Sequence, residues 1–199
     1  MSNSIQKYIR ENMSIILKIL VIYLIGIAIG ILLFVFTDIK KEYVDIVSGV
    51  FEGVKSEDFE GINIIANGIK NNIVYIGILY FSLITIIAPL IICLFVILKA
   101  IVTGIYICTL YSVFGIFNGI LVSIVSVIIP TFFSLVGYVI ICTNIINLFK
   151  LISQGEKADI KQLLKHFYFL LISVSLISFS IVLEQLMTGI SLKIYTNIL

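Results

Sequence analysis

Between Lys99 and Lys150 the chain runs for fifty residues, 100–149, without one charged side chain. The run reads AIVTGIYICTLYSVFGIFNGILVSIVSVIIPTFFSLVGYVIICTNIINLF. A bilayer core of about 30 Å takes about 20 apolar residues in a helix. Fifty is too many for one crossing and suits two, with a turn buried between them. A soluble helix that is apolar all round would need protein over every face, whereas lipid covers it directly.

Composition agrees. The 199 residues are 61% hydrophobic and 12% charged, about half the charged share of a soluble domain, and the mean hydropathy is +1.23. The expectation is an all-α integral membrane protein, a single membrane domain over 1–199 with small aqueous parts. A net charge of +2 and the lack of a basic run do not point to nucleic acid. Cys93, Cys108 and Cys142 lie inside apolar runs. An odd count without CxxC spacing makes neither a disulfide framework nor a zinc site, so they read as small packing residues.

Taken in order, a polar start with Lys7 and Arg10 leads into a first apolar run. That run is too long for a signal-peptide core and no small-residue cleavage site follows it, so a retained first span at about 15–37 is expected. Residues 38–72 hold seven acids and four lysines. Val47, Phe51 and Val54 recur at helical spacing there, as do Ile62, Ile65 and Ile69. Two short amphipathic helices are expected, on the membrane surface, against the bundle or facing a partner. The second span is placed at 73–98, kinked at Pro89, and the third at 100–116. Gly115, Asn118 and Gly119 form the best turn signal of the long run. A short interfacial or re-entrant helix would then precede Pro130, with a fourth span at 131–149. A charged loop at 150–166 leads to a fifth span at 167–184 and an interfacial tail.

Five spans put the termini on opposite sides. With the N-terminus cytoplasmic, eight Lys and Arg fall inside, Lys99 among them, and five outside. The positive-inside rule therefore favours a cytoplasmic N-terminus and an extracytoplasmic C-terminus.

The runs contain no HExxH, GxSxG or GxxxxGK pattern, so no enzyme and no cofactor is expected. The single histidine, His166, sits at the edge of the fifth span and reads as interfacial. Glu184 lies about 25 Å along that span, where it either ends the helix near the outer boundary or anchors it to another helix or subunit. Lys99 reads as snorkelling to the inner surface. Asn118, Asn144 and Asn147 read as helix-to-helix hydrogen bonds or interfacial groups. Gly26 with Gly30, and Ala100 with Gly104, have the small-xxx-small spacing that lets helices approach closely, within one bundle or between copies of a homo-oligomer.

With these residues placed, the chain resembles the stage II sporulation protein M family of membrane proteins over about 8–195. The resemblance rests on the order of features. These are LIGIAIGIL in the first span, an acidic segment leading into NNIVYIGILYFSL, LFVILKAIVTGI, SVIIP before the fourth span, and IVLEQLMTGIS near the end. Lys99, Gly104, Pro130 and Glu184 match its pattern. Many relatives carry a His-Gly pair and a glutamate after the proline, where this chain has Thr131, Phe132 and Phe133. The resemblance implies five spans in the cell membrane and a scaffold for two peptidoglycan-degrading enzymes of engulfment in endospore-forming bacteria. These are an amidase and a lytic transglycosylase, stage II sporulation proteins P and D.

Two functions follow. The first is that non-enzymatic scaffold, with Val47, Phe51, Ile62 and Ile65 as its partner surface. The second is a permease-like transport subunit needing a separate ATPase, because the broken 115–130 segment is similar to the discontinuous helices that line transport sites.

Overall fold

The computed structural model describes residues 2–45, 48, 61–82, 87–153 and 160–198, and every element among them is helical. The helices are α1 (Ser2–Phe36), α2 (Gly61–Phe81), α3 (Ala88–Ser123), a π-helical stretch (Ile124–Ile128), α4 (Ile129–Ser153) and α5 (Ile160–Ile198). Residues 39–45 add a short helical piece beyond α1.

Three stretches are long and apolar enough to cross a membrane: Gln6–Phe36, Ala88–Ser153 and Leu164–Glu184. The middle one has 66 residues, about 99 Å if straight, or three bilayer cores. It folds back at Gly115, whose φ of 75° and ψ of 174° leave the helical region inside α3. Beyond the break the chain returns along itself. A Cβ on Gly119 would meet the Tyr111 Cα at 2.8 Å, and Leu110, Phe114, Val122 and Val127 form one cluster. The turn anticipated around Gly115–Gly119 is therefore where the chain reverses.

Cross-helix contacts give each rod its direction. Residues Ile15, Ile19 and Ile22 of α1 face the same cleft as Pro89, Ile92 and Val96, and further along Gly26 lies on Ala100. Hence α1 and the first arm of α3 run parallel. Tyr75 packs beside Phe95 at 6.1 Å, and Asn72 accepts from Lys99, so α2 runs against α3. Asn144 meets His166, Gly137 meets Ile177 and Pro130 meets Ser180, so α4 and α5 are antiparallel. The described residues thus form five rods of alternating direction. Tyr8, Asn12, Asn147 and His166 mark what we term the lower end; Lys99 and Glu184 lie toward the upper end.

Several boundaries differ from expectation. There is no single helix over 73–98: α2 ends at Phe81, and α3 begins at Ala88 and runs against it. Ser82 donates to the Leu79 carbonyl at 2.6 Å as α2 closes, and Pro89 lies in the first turn of α3. A proline there lacks an N–H that had no helical partner anyway, so it starts a helix instead of kinking one. Lys99 consequently sits within α3 and not at the lower surface. Nor is there a separate helix before Pro130. The chain is helical from the Gly115 reversal to Ser153, and the π turn at Ile124–Ile128 takes up the irregularity. Proline crowds the carbonyl four residues earlier, here that of Ser126, and a widened turn lets it move aside. Of the expected 150–166 loop, 150–153 and 160–166 are helical, and α5 runs past Glu184 to Ile198. Residues 61–72, expected as a surface helix, belong to α2.

The main core joins all five rods through residues such as Ile19, Leu79, Ile92, Ile141 and Ile177. The outer faces are as apolar as the core. Leu24, Leu90 and Phe117 are 65%, 67% and 86% exposed. Water would penalise such continuous apolar surface, whereas lipid solvates it.

Candidate functional site

Three helices carry sparse polar side chains at helical spacing within apolar runs. On α3 these are Lys99, Thr103 and Tyr106; on α4, Thr131, Ser134 and Tyr138; on α5, Ser180 and Glu184. Intervals of three, four and seven put each set on one face. The bundle turns the three faces toward each other around a cavity of about 360 Å³, which Tyr23 of α1, Asn72 of α2 and Tyr43 also line.

Lys99 is held from several sides. Its Nζ donates to Asn72 Oδ1 at 3.4 Å. It lies 5.0 Å from the ring centroid of Tyr75, 5.4 Å from Tyr138 and 5.9 Å from Phe95. Aromatic faces are negative at the centre, so the three rings supply attraction where water is scarce. The Tyr138 hydroxyl donates to the same Asn72 oxygen. Thr103 donates to the Lys99 carbonyl at 3.0 Å and accepts from the Tyr23 hydroxyl at 3.3 Å. Ser180 donates to the Pro130 carbonyl at 2.7 Å, tying α5 to α4 beside the cavity.

Glu184 lines this cavity from α5, as Lys99 does from α3. A cation and a carboxylate thus line one partly open cavity inside an otherwise apolar bundle. Such groups are expensive in a membrane unless each compensates the other. The arrangement can cross-link helices, and it can hold a small polar or zwitterionic molecule among hydroxyls and opposite charges.

The other candidate residues go elsewhere. Gly26, Gly30, Ala100 and Gly104 form the seam between α1 and α3. A Cβ on Gly26 would meet the Ala100 Cβ at 2.5 Å, one on Gly104 would meet the Ile27 carbonyl oxygen at 2.5 Å, and one on Gly30 would run into the Ile101 backbone. Asn118 is half-buried at the Gly115 turn, away from the cavity. Val47 and Phe51 lie outside the described residues, and Ile62 and Ile65 fall in the first turns of α2.

A second polar cluster closes the lower end. Asn144, 1% exposed, donates to the Tyr80 hydroxyl and to the His166 carbonyl, both at 3.0 Å, while its own oxygen meets His166 Nδ1. Asn147 donates to Asn12 Oδ1 at 2.7 Å, and Asn12 donates to the Tyr8 carbonyl at 2.9 Å. These two asparagines and His166 join helices, as hydrogen bonds between rods. Tyr23, Asn72, Thr103 and Tyr138 were not singled out from sequence. For Thr103 and Tyr138 the signal that could have found them is the polar stripe at intervals of three, four and seven; Tyr23 and Asn72 stand outside those stripes.

Comparison of the chain with protein-family models, with curated proteins and with solved structures finds no match.

Proposed function

We propose that this chain is a five-span protein of the cell membrane, with its N-terminus cytoplasmic and its C-terminus outside, and that it is a non-enzymatic scaffold. On this reading it holds an amidase and a lytic transglycosylase at the septal membrane during engulfment in endospore formation. The observation that carries it is the composition of the upper cavity. Three of the four positions that carry the family resemblance gather there, Lys99 and Glu184 in the lining and Pro130 through its bond to Ser180. Tyr43 and Asn72, near the two ends of the outward segment 38–72, line the same cavity. The charge cluster would thus fix the base of the segment that presents Val47, Phe51, Ile62 and Ile65 to the hydrolases.

Charge distribution supports the orientation. With Lys99 inside the bundle, the segments at the lower end carry seven Lys and Arg in sequence and those at the upper end five. The positive-inside rule puts the lower end in the cytoplasm. The reading is tested by co-purifying the amidase with the full chain and with a variant in which those four apolar residues are serine. Loss of the amidase from the variant is expected; full retention removes the segment from the mechanism.

A specific observation also favours a second reading, a permease-like subunit working with a separate ATPase. Ionisable residues facing a cavity between helices mark substrate pathways, and Lys99 with Glu184 does so here. Co-purification of a nucleotide-binding subunit, with flux into proteoliposomes abolished by Glu184→Gln, would establish it over the scaffold.

A further inference from the structure

The lower end of the bundle combines two adjoining spaces of opposite character. One is a polar cavity of about 370 Å³ walled by Asn12, Asn147, Lys150, Lys165 and Tyr8. The other is a groove of about 400 Å³ between α1, α4 and α5, lined by apolar side chains such as Ile16, Leu20, Val136 and Ile140. Tyr8 and Phe169 border both, with their rings stacked at 4.2 Å, so the two spaces adjoin at this ring pair.

Within the polar cavity the asparagines are committed to each other and to the backbone. Glu11, the one acid of its lining among the described residues, is paired with Lys7 at 3.9 Å. Lys150 and Lys165, both exposed, give the lining two cations against that one carboxylate. Tyr8 is only 8% exposed, yet its hydroxyl has no hydrogen-bond partner among the described residues. A buried hydroxyl left unpaired is costly and calls for an acceptor.

We propose that this end binds one anionic glycerophospholipid of the adjoining leaflet, its phosphate between Lys150, Lys165 and the Tyr8 hydroxyl and one acyl chain in the groove. Basic pockets between transmembrane helices suit anionic headgroups by charge. The groove has the depth an acyl chain needs. From Tyr8 to Leu20 along α1 is about 18 Å, close to half of a bilayer core of about 30 Å. A soluble anion would satisfy the lysines and leave the groove unused. A partner helix would fill the groove and bring no phosphate to Tyr8. The inference needs only that the chain sits in a membrane, and it stands apart from the scaffold and transport readings.

The test is native mass spectrometry of the full chain, delipidated in neutral detergent. It would be titrated with phosphatidylglycerol, with phosphatidylcholine of the same acyl chains, and with glycerol 3-phosphate as a soluble headgroup. One phosphatidylglycerol should bind at least tenfold tighter than phosphatidylcholine, and glycerol 3-phosphate should not displace it. Lys150→Gln together with Lys165→Gln should remove the preference, and Val136→Trp should weaken both lipids by filling the groove. Tyr8→Phe, which keeps the stacked ring and so guards against loss of folding in the other variants, should weaken phosphatidylglycerol about threefold. Equal affinity for the two lipids, wild-type binding by Tyr8→Phe, or displacement by glycerol 3-phosphate would overturn the proposal.

Discussion

Lys99 is the residue whose surroundings changed its meaning most. In the sequence it separates two apolar runs and reads as a surface anchor; in the bundle it lies within a helix, among three aromatic rings and Asn72. Its relation to Glu184 sets the first prediction. Lys99→Met and Glu184→Gln each remove one of the two opposite charges that line the upper cavity. Unfolding in detergent should show each single variant less stable than the double variant, with coupling of about 0.5–3 kcal/mol. Additive losses would mean that the two charges act separately. Gly115 gives the second. Its positive φ excludes an ordinary side chain on conformational grounds alone, since no atom lies within 4 Å of where a Cβ would stand. Gly115→Ala should destabilise by about 1–2 kcal/mol, read from the same unfolding curves, without altering the seam between α1 and α3.

At the scale of elements, the bundle depends on how closely α1 and α3 approach. The glycine spacing in both helices was legible in the sequence, but which helix each met was not, because small-xxx-small patterns fit many neighbours. Here Gly26 and Gly30 receive Ala100 and Ile101, and Gly104 receives Ile27. The backbone carbonyls facing these glycines cannot swing away as a flexible side chain would. Gly104→Leu should therefore push the helices apart, at a cost of about 1–3 kcal/mol. Unfolding in detergent should show that loss for Gly104→Leu and a much smaller one for Leu98→Ala, whose side chain is 53% exposed on the same helix. Unchanged stability of Gly104→Leu would show that α1 docks elsewhere. The second element effect is proline placement. Pro89 opens a helix and Pro130 follows a π turn inside a longer helical run. Local sequence suggested the opposite in both cases, because proline's missing N–H is harmless at a helix start and a π turn can absorb its bulk.

For the molecule as a whole, alternating rods put the 39–45 piece and the start of α5 at opposite ends of the bundle. Single cysteines at Asp45 and Ile160 should accordingly label from opposite faces of a sealed membrane, with a membrane-impermeant maleimide reaching one in intact cells and the other only after lysis. Labelling of both from one face would exclude an odd number of crossings. The helices also exceed what a bilayer core requires. At 39 residues α5 extends about 58 Å, so it continues well past Glu184 instead of ending there.

The amino-acid sequence by itself determined the apolar surroundings and the helical class, though not where each helix begins and ends. An unbroken apolar run of fifty residues satisfies its backbone inside lipid only as helix, and glycine can mark the turn because the turn is a local matter of φ and ψ. Only the tertiary structure decided which polar residues meet. Lys99, Asn72, Tyr138 and Glu184 belong to four different rods, and an apolar helix surface in lipid leaves its rotation and its neighbours open. The close glycine seam and the few polar stripes fix both, by steric fit and by the cost of an unpaired polar group, and neither acts until the helices are side by side.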